Sequence, residues 1–347
     1  MKNTQRQNTL KITSLLSSIV ALMTNVACEK TDRSFSMLSE EQTFKQTSTF
    51  VQKKIDILWI IDNSGSMQPS QDNLATNFAS FIQKFQSLNL DFHMAVQSTD
   101  AYKGKFLNNN NLRRFKDGYT SHSGVFVLDK NTPLLMDKFM TNVRLSIYGS
   151  SDERAFSSME DTLDYAGNSD FRRSDAFLSV IIVSDEDDFS ATSSTSIGKN
   201  YNDSRLISVN HYKQFLDTYA GVGNYSVNVI GVFDATCAVS GRVITTRYAQ
   251  LADLSKGIKA SICDANFSSS LQVISEKTVE LAATFTLDRA PIVQSIIVKL
   301  DSVVVPEDAV NGWTFDSTTN TVAFHGAYIP AAGADIKITY DPLVAKQ

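Results

Sequence analysis

The chain has 347 residues, 42% hydrophobic and 20% charged, an ordinary globular balance. That length suits one large domain with a smaller companion. A formal net charge of −5, from 32 basic against 37 acidic residues, lacks the basic footprint of a nucleic-acid binder, so no nucleic-acid partner is expected.

The chain opens "MKNTQRQNTLKITSLLSSIVALMTNVAC", with Lys2, Arg6 and Lys11 followed by a short apolar segment and a small-residue end. Residues 1–27 read as a signal peptide, too short and too rich in Ser and Thr for a membrane-spanning helix. Cys28 directly follows Ala27 in "NVAC", and the segment resembles a bacterial lipoprotein signal, whose cysteine becomes the lipidated N-terminus. Asn25 stands where that pattern prefers Leu; an ordinary secretory signal cleaved nearby is the plainer alternative. The resemblance implies export to the cell envelope, as an outer-membrane lipoprotein facing the periplasm or the surface, with the membrane as one partner through the lipid. The cysteine count agrees, since three cysteines in an exported chain leave one odd. Cys237 and Cys263 are close enough in sequence to pair across a loop, which suits an oxidising compartment, and Cys28 is then left for the lipid. The alternative is two buried free thiols.

Residues 28–50 are polar, lack a steady period and read as a tether. From residue 51 to 285, strands and helices alternate. "KIDILWII" is a buried strand, and the segment after it places Leu74, Phe78, Phe81, Ile82, Phe85 and Leu88 at helical spacing. "DFHMAVQST" is the next strand. Residues 100–132 form a polar excursion whose Arg113, Arg114 and Lys116 read as a solvated loop, ending in the apolar "GVFVL". Helices are expected near 134–148 and 153–167. "AFLSVIIVS" is a continuous apolar strand of the kind that lies inside a parallel sheet. A helix near 204–220, the strand "YSVNVIGVF", a helix near 246–255, the short "GIKASIC" and a helix near 268–284 follow. This alternation predicts an α/β fold, a doubly wound, mostly parallel sheet with helices on both faces.

After Phe285 the period changes to two. "IVQSIIVKLDSVVVP" alternates at Ile296, Val298 and Leu300, and "ADIKITY" alternates again. "WTFDSTTNTVAFHG" reads as a hairpin with Trp313 and Phe315 facing Val322 and Phe324. Residues 286–347 are therefore expected to be a small antiparallel all-β domain without a catalytic or metal signature, a spacer or packing module.

In a doubly wound sheet, ligands gather outside the carboxyl ends of the strands. Three stretches fall there: "DNSGSM" after the first strand, "GSSDERA" (149–155) opening a helix, and "SDEDD" (184–188) after the central strand. Each clusters oxygen donors without His or Cys, a hard-ligand set suited to Mg²⁺, Mn²⁺ or Ca²⁺. Asp62, Ser64 and Ser66 are spaced so that a tight turn, eased by Gly65, aims all three side chains at one point. D-x-S-x-S after a buried first strand resembles the metal-ion-dependent adhesion site (MIDAS) of von Willebrand factor A domains. Asp185 in "VIIVSDEDD" matches that family's Asp after the central strand. Ser151 before Asp152 matches its second element, where Thr is usual, and Ser150 is an alternative. "RYAQLADLSKGIKASICDANFSSSLQVIS" and the "DEDD" variant resemble A domains of predicted lipoproteins from predatory and gliding proteobacteria, implying a Cys237–Cys263 clasp over the last strand.

The resemblance implies a metal, Mg²⁺ foremost, touched directly by the three hydroxyls, with the two aspartates acting largely through water. An incompletely neutralised hard cation with an exchangeable water then accepts an Asp or Glu carboxylate of a protein partner. The plainer reading of "DNSGSM" is a helix cap, with the acidic run solvated. Two other functions compete with adhesion. One is an envelope scaffold whose metal is purely structural. The other is a metal-dependent phosphoester hydrolase using Asp185, Glu186, Asp187 and Asp188. Against catalysis, His93, His122, His211 and His325 lie away from the three stretches, and G-x-S-x-G, H-E-x-x-H and P-loop motifs are absent, so a non-enzyme is expected.

Overall fold

Strands and helices alternate through most of the chain in a computed structural model that describes residues 45–239 and 241–343. The expected signal peptide, Cys28 and the first part of the tether lie outside the described residues. In chain order the elements begin β1 (Gln46–Phe50), β2 (Lys54–Ile61), α1 (Gln68–Ser87), β3 (Phe92–Ser98), α2 (Lys103–Leu107), α3 (Asn110–Arg113), β4 (Val127–Asp129) and α4 (Leu135–Asn142). They continue with α5 (Ala155–Leu163), β5 (Ala176–Val183), α6 (Val209–Tyr219), β6 (Tyr225–Gly231), α7 (Thr246–Leu254), β7 (Lys259–Ser261) and α8 (Ser268–Ala282). The last are β8 (Thr284–Thr286), β9 (Ile297–Leu300), β10 (Val303–Val304), β11 (Trp313–Asp316), β12 (Thr321–Phe324) and β13 (Ile336–Tyr340).

The fold is mixed α/β. Its main sheet has the strand order β4-β3-β2-β5-β6-β7, parallel except for the antiparallel edge strand β4. β2 and β5 are buried along nearly their whole length because both faces are covered, and a strand in that position takes apolar residues at most places. Alternate side chains of β2 separate to the two faces. Ile55, Ile57, Trp59 and Ile61 pack with Phe78, Phe81 and Phe85 of α1 and Leu271 and Ile274 of α8. Leu58 and Ile60 pack with Phe156 and Met159 of α5, Tyr212 of α6 and Tyr248 of α7. The register aligns Ile61 with both Ser98 and Val183, so β2, β3 and β5 finish level.

Two expectations change. The helix expected over 134–148 stops at Asn142, because the chain is then drawn toward the turn after β2, where the Gly149 amide donates to the Asn63 carbonyl at 2.8 Å. A Cβ on Gly149 would lie 2.6 Å from Asn63 atoms, so this close approach requires glycine. The tether expected to run to residue 50 ends instead in β1, paired antiparallel with β13. Two of its three inward positions are the polar Gln46 and Ser48, with only Phe50 apolar, which conceals the two-residue period.

The C-terminal strands form a sheet in the order β1-β13-β9-β10 and another in the order β11-β12-β8. In the hairpin, Trp313 pairs with Phe324 and Phe315 with Val322. The change of period near residue 285 marks a change of element, not a gap in packing. β8 follows α8 directly and pairs with β12, and Val298, Val322, Phe324 and Ile338 join the same apolar cluster as α1 and α8. The described residues lie within one compact unit.

Candidate metal site

The three oxygen-rich stretches expected at the strand ends meet beyond β2 and β5, to different degrees. Asp62 follows β2 and is fully buried. Its Oδ1 accepts the Ser64 amide at 2.7 Å, closing a local turn, and its Oδ2 accepts the Ser184 hydroxyl at 2.8 Å. The Ser64 and Ser66 hydroxyls lie 3.3 Å apart, and Ser66 Oγ donates to Asp185 Oδ1 at 3.1 Å. Asp62, Ser64, Ser66 and Asp185 therefore form one hydrogen-bonded cluster spanning two parallel strands. The helix-cap reading of this turn does not hold. The N-cap residue of α1 is Met67, which makes no side-chain cap bond, and Ser66 is turned to Asp185 instead.

The "GSSDERA" loop closes the cluster from the side. Gly149 bonds Asn63, and the Ser150 amide donates to Asp100 Oδ2 at 3.2 Å. The Ser150 hydroxyl accepts the Asp152 amide at 3.1 Å. Ser151 is exposed and makes no side-chain hydrogen bond among the described residues, so the loop, but not the Ser151 hydroxyl, is brought to the cluster. Asp152 is held away by the buried Arg154, whose Nη2 donates to it at 2.7 Å.

The acidic run disperses instead of converging. Glu186 pairs with Lys199 at 2.5 Å. Asp187 accepts the Tyr201 hydroxyl at 2.9 Å and the Arg247 amide. Asp188 pairs with Arg247 at 3.1 Å and accepts the Phe156 amide at the start of α5. Of the four carboxylates, Asp185 alone bonds the Ser66 side of the site, with Arg242 at 3.8 Å from its Oδ2. The multi-carboxylate cluster that hydrolysis would use is not assembled.

Glu153 is the buried acid near this cluster that sequence reasoning missed. It is fully buried, and both its carboxylate oxygens lack a hydrogen-bond partner among the described residues. Its pKa lies well above the usual carboxylate range, raised by burial and then by the charge of Asp62, with the nearby Thr99 side chain opposing the rise and Asp100 and Glu186 adding to it. Burial likewise raises Asp62 to about 7, against the lowering effect of its hydrogen bonds, and Asp185 adds to the rise. The available signal was the position of Glu153 in a stretch already marked for oxygen donors, but an acid before an arginine reads first as a salt bridge.

Among the described residues no group of three or more His, Cys, Asp or Glu side chains is arranged to hold a metal ion. The donor set here is of another kind, a few carboxylates with hydroxyls. Its chemistry fits a hard divalent cation, because Asp62 and Glu153 are buried acids without a basic partner among the described residues, beside oxygens already gathered around one locus. Cys237 and Cys263 form a disulfide with Cα atoms 5.8 Å apart, fixing the loop after β6 to the end of β7. Arg242, within the loop so fixed, is the residue beside Asp185.

No protein-family model matches the chain, and no curated protein does. Among solved structures it is similar to proximal thread matrix protein 1 from the mussel byssus, with TM-score 0.39 and 12% identity over 70% of this chain and 52% of that one. The pilus adhesin SpaC of Lactobacillus rhamnosus GG gives TM-score 0.43 and 12% identity over 83% and 39%. The pilus adhesin RrgA of Streptococcus pneumoniae gives 0.34 and 9% over 85% and 58%. The chain thus spans about half the length of these proteins.

Proposed function

We propose that this is a von Willebrand factor A-type protein with a doubly wound sheet, exported and anchored through a lipid on Cys28, which binds another protein through a divalent cation. Asp62, Ser64, Ser66 and Asp185 would hold the ion, with the Ser150–Ser151 loop supplying the further hydroxyl. The observation that carries the reading is the hydrogen-bonded convergence of those four side chains at the ends of two adjacent parallel strands, around a buried Asp62 that no basic side chain among the described residues pairs. When bound, Mg²⁺ or a similar ion supplies an electrophilic centre for a partner's Asp or Glu carboxylate.

The residues of this chain do the rest. The Ser64 amide and the Ser184 hydroxyl fix the orientation of Asp62, and Asp185 fixes Ser66. Hydroxyl ligands add no negative charge, which keeps a bound cation receptive to an anionic partner. The separate partners of Glu186, Asp187 and Asp188 favour binding over hydrolysis.

The test has two arms. Mg²⁺ at a hundredfold excess over its dissociation constant should stabilise wild type by about 2.7 kcal/mol and leave Asp62→Ala unchanged. Immobilised wild type should retain an envelope protein in Mg²⁺ and release it in EDTA, while Asp62→Ala retains none. A Mg²⁺ shift without any metal-dependent retention would leave the ion a structural one and sink the adhesion reading.

A further inference from the structure

A cavity of about 530 Å³ opens at the opposite end of the main sheet from the Asp62 cluster, between the segments that lead into β2, β6 and β7 and the C-terminal strands. That volume is in the range of small-molecule sites, and a seam between two structural layers is where such sites collect. Its α/β wall carries Lys53, Lys213 and Lys256, and its β wall carries Thr284, Thr286, Thr319 and Thr321.

The charges in this cavity do not balance. Lys213 is taken by Asp217, its Nζ 2.6 Å from the carboxylate. Lys53 pairs with no carboxylate among the described residues: its Nζ donates to the Asn224 side-chain oxygen at 3.0 Å, a neutral partner. Burial lowers its pKa, as expected for an ammonium whose charge is not compensated. Lys256 forms no ion pair among the described residues; Asp316 on the neighbouring hairpin is near enough to feel its charge but is not part of the lining. Two cations thus face a wall whose polar groups are hydroxyls, able to donate hydrogen bonds but carrying no charge. Val222, Leu254 and Leu281 also line the cavity and give the site an apolar side.

We infer that this cavity binds a small organic oxyanion, a phosphate- or carboxylate-bearing molecule held by Lys53 and Lys256 and by threonine hydroxyls of β8 and the hairpin. The ammonium of Lys53 is pre-positioned by Asn224, and an oxyanion supplies the charge-assisted partner that the protein withholds. The site is separate from the Asp62 cluster and does not depend on a metal there.

Thermal unfolding of the full chain, at constant ionic strength in EDTA, tests it with inorganic phosphate and succinate titrated separately against chloride. A saturable rise in the midpoint with phosphate alone assigns a phosphate ligand, and with succinate alone a carboxylate. Lys53→Met should raise the half-saturating concentration about tenfold or more, the value of one charge-assisted hydrogen bond. Lys256→Ala, at an exposed position, should act in the same direction in a chain that keeps its fold. Asp62→Ala should leave the response unchanged, which separates this site from the metal site. The absence of a saturable shift with either anion, or a response that both lysine variants retain, would overturn the inference.

Discussion

Asp56 and Asp62 lie at opposite ends of β2, and both are fully buried. The fold treats them in contrary ways. Asp56 receives Arg172 Nη1 at 3.0 Å and Arg173 Nη2 at 2.8 Å, with the Arg173 amide and Nε adding bonds of 2.7 and 2.9 Å. Arg173 also reaches Asp91 at 2.6 Å, stitching the starts of β2 and β3 together. Asp62 receives an amide and a hydroxyl and, among the described residues, no cation. A buried carboxylate that the protein neutralises itself is part of the frame. One left without a cation is where charge from outside has most to contribute.

Breaking the two ends separately gives the largest predicted difference. Asp56→Ala leaves two guanidinium groups against a buried hole and should lower stability by ~3–5 kcal/mol in urea unfolding. Asp62→Asn removes a buried charge that lacks a cation and, in EDTA, should cost less than ~1 kcal/mol or stabilise. If the two substitutions cost the same in EDTA, Asp62 is as structural as Asp56 and the contrast fails.

The same contrast explains what could be read from the sequence. The apolar runs of β2 and β5 place themselves in the middle of a parallel sheet, and their ends mark where Asp62 and Asp185 must lie. Asp56 sits inside the apolar run "KIDILWII", and nothing in its neighbourhood names Arg172 and Arg173 as partners, because that contact joins segments distant in sequence. Glu153 stayed hidden for the same reason. Its burial depends on α5, the β3 end and the Asp62 turn closing together, and no local pattern records that. Nor could the sequence tell that Glu186, Asp187 and Asp188 would each find a separate partner. β1 was missed because two of its three inward residues, Gln46 and Ser48, are polar, and pairing with β13 outweighs that weak local pattern.

Titration sharpens the contrast further. Asp62 has its pKa raised to about 7 in the folded chain, from an ordinary value of 3.8. Between these values the folded state holds more protons than the unfolded state, so this group's contribution is full below about pH 4 and is lost as pH rises through 7. In EDTA, wild type should therefore lose on the order of 1–2 kcal/mol relative to Asp62→Asn between pH 5 and pH 7. Saturating Mg²⁺ should remove that loss, because the cation favours the ionised carboxylate. A wild-type profile parallel to that of Asp62→Asn in EDTA would contradict the assignment.

The smallest effect separates two adjacent serines. Ser150 lies in the part of the loop that Asp100 and Asn63 hold against the cluster, while the Ser151 hydroxyl is exposed and unbonded. A hydroxyl already carried by an anchored backbone loses little freedom on meeting an ion, whereas an exposed one must be ordered first. Ser150→Ala should therefore raise the Mg²⁺ concentration needed for half-maximal thermal stabilisation about tenfold, or ~1.4 kcal/mol. Ser151→Ala should change it less than about twofold, within the range of an exposed side chain away from any contact. The reverse order would mean that the loop rearranges around the ion, and that the wall beside Asp62 is the movable part of the site while the arginine-bound end of β2 stays fixed.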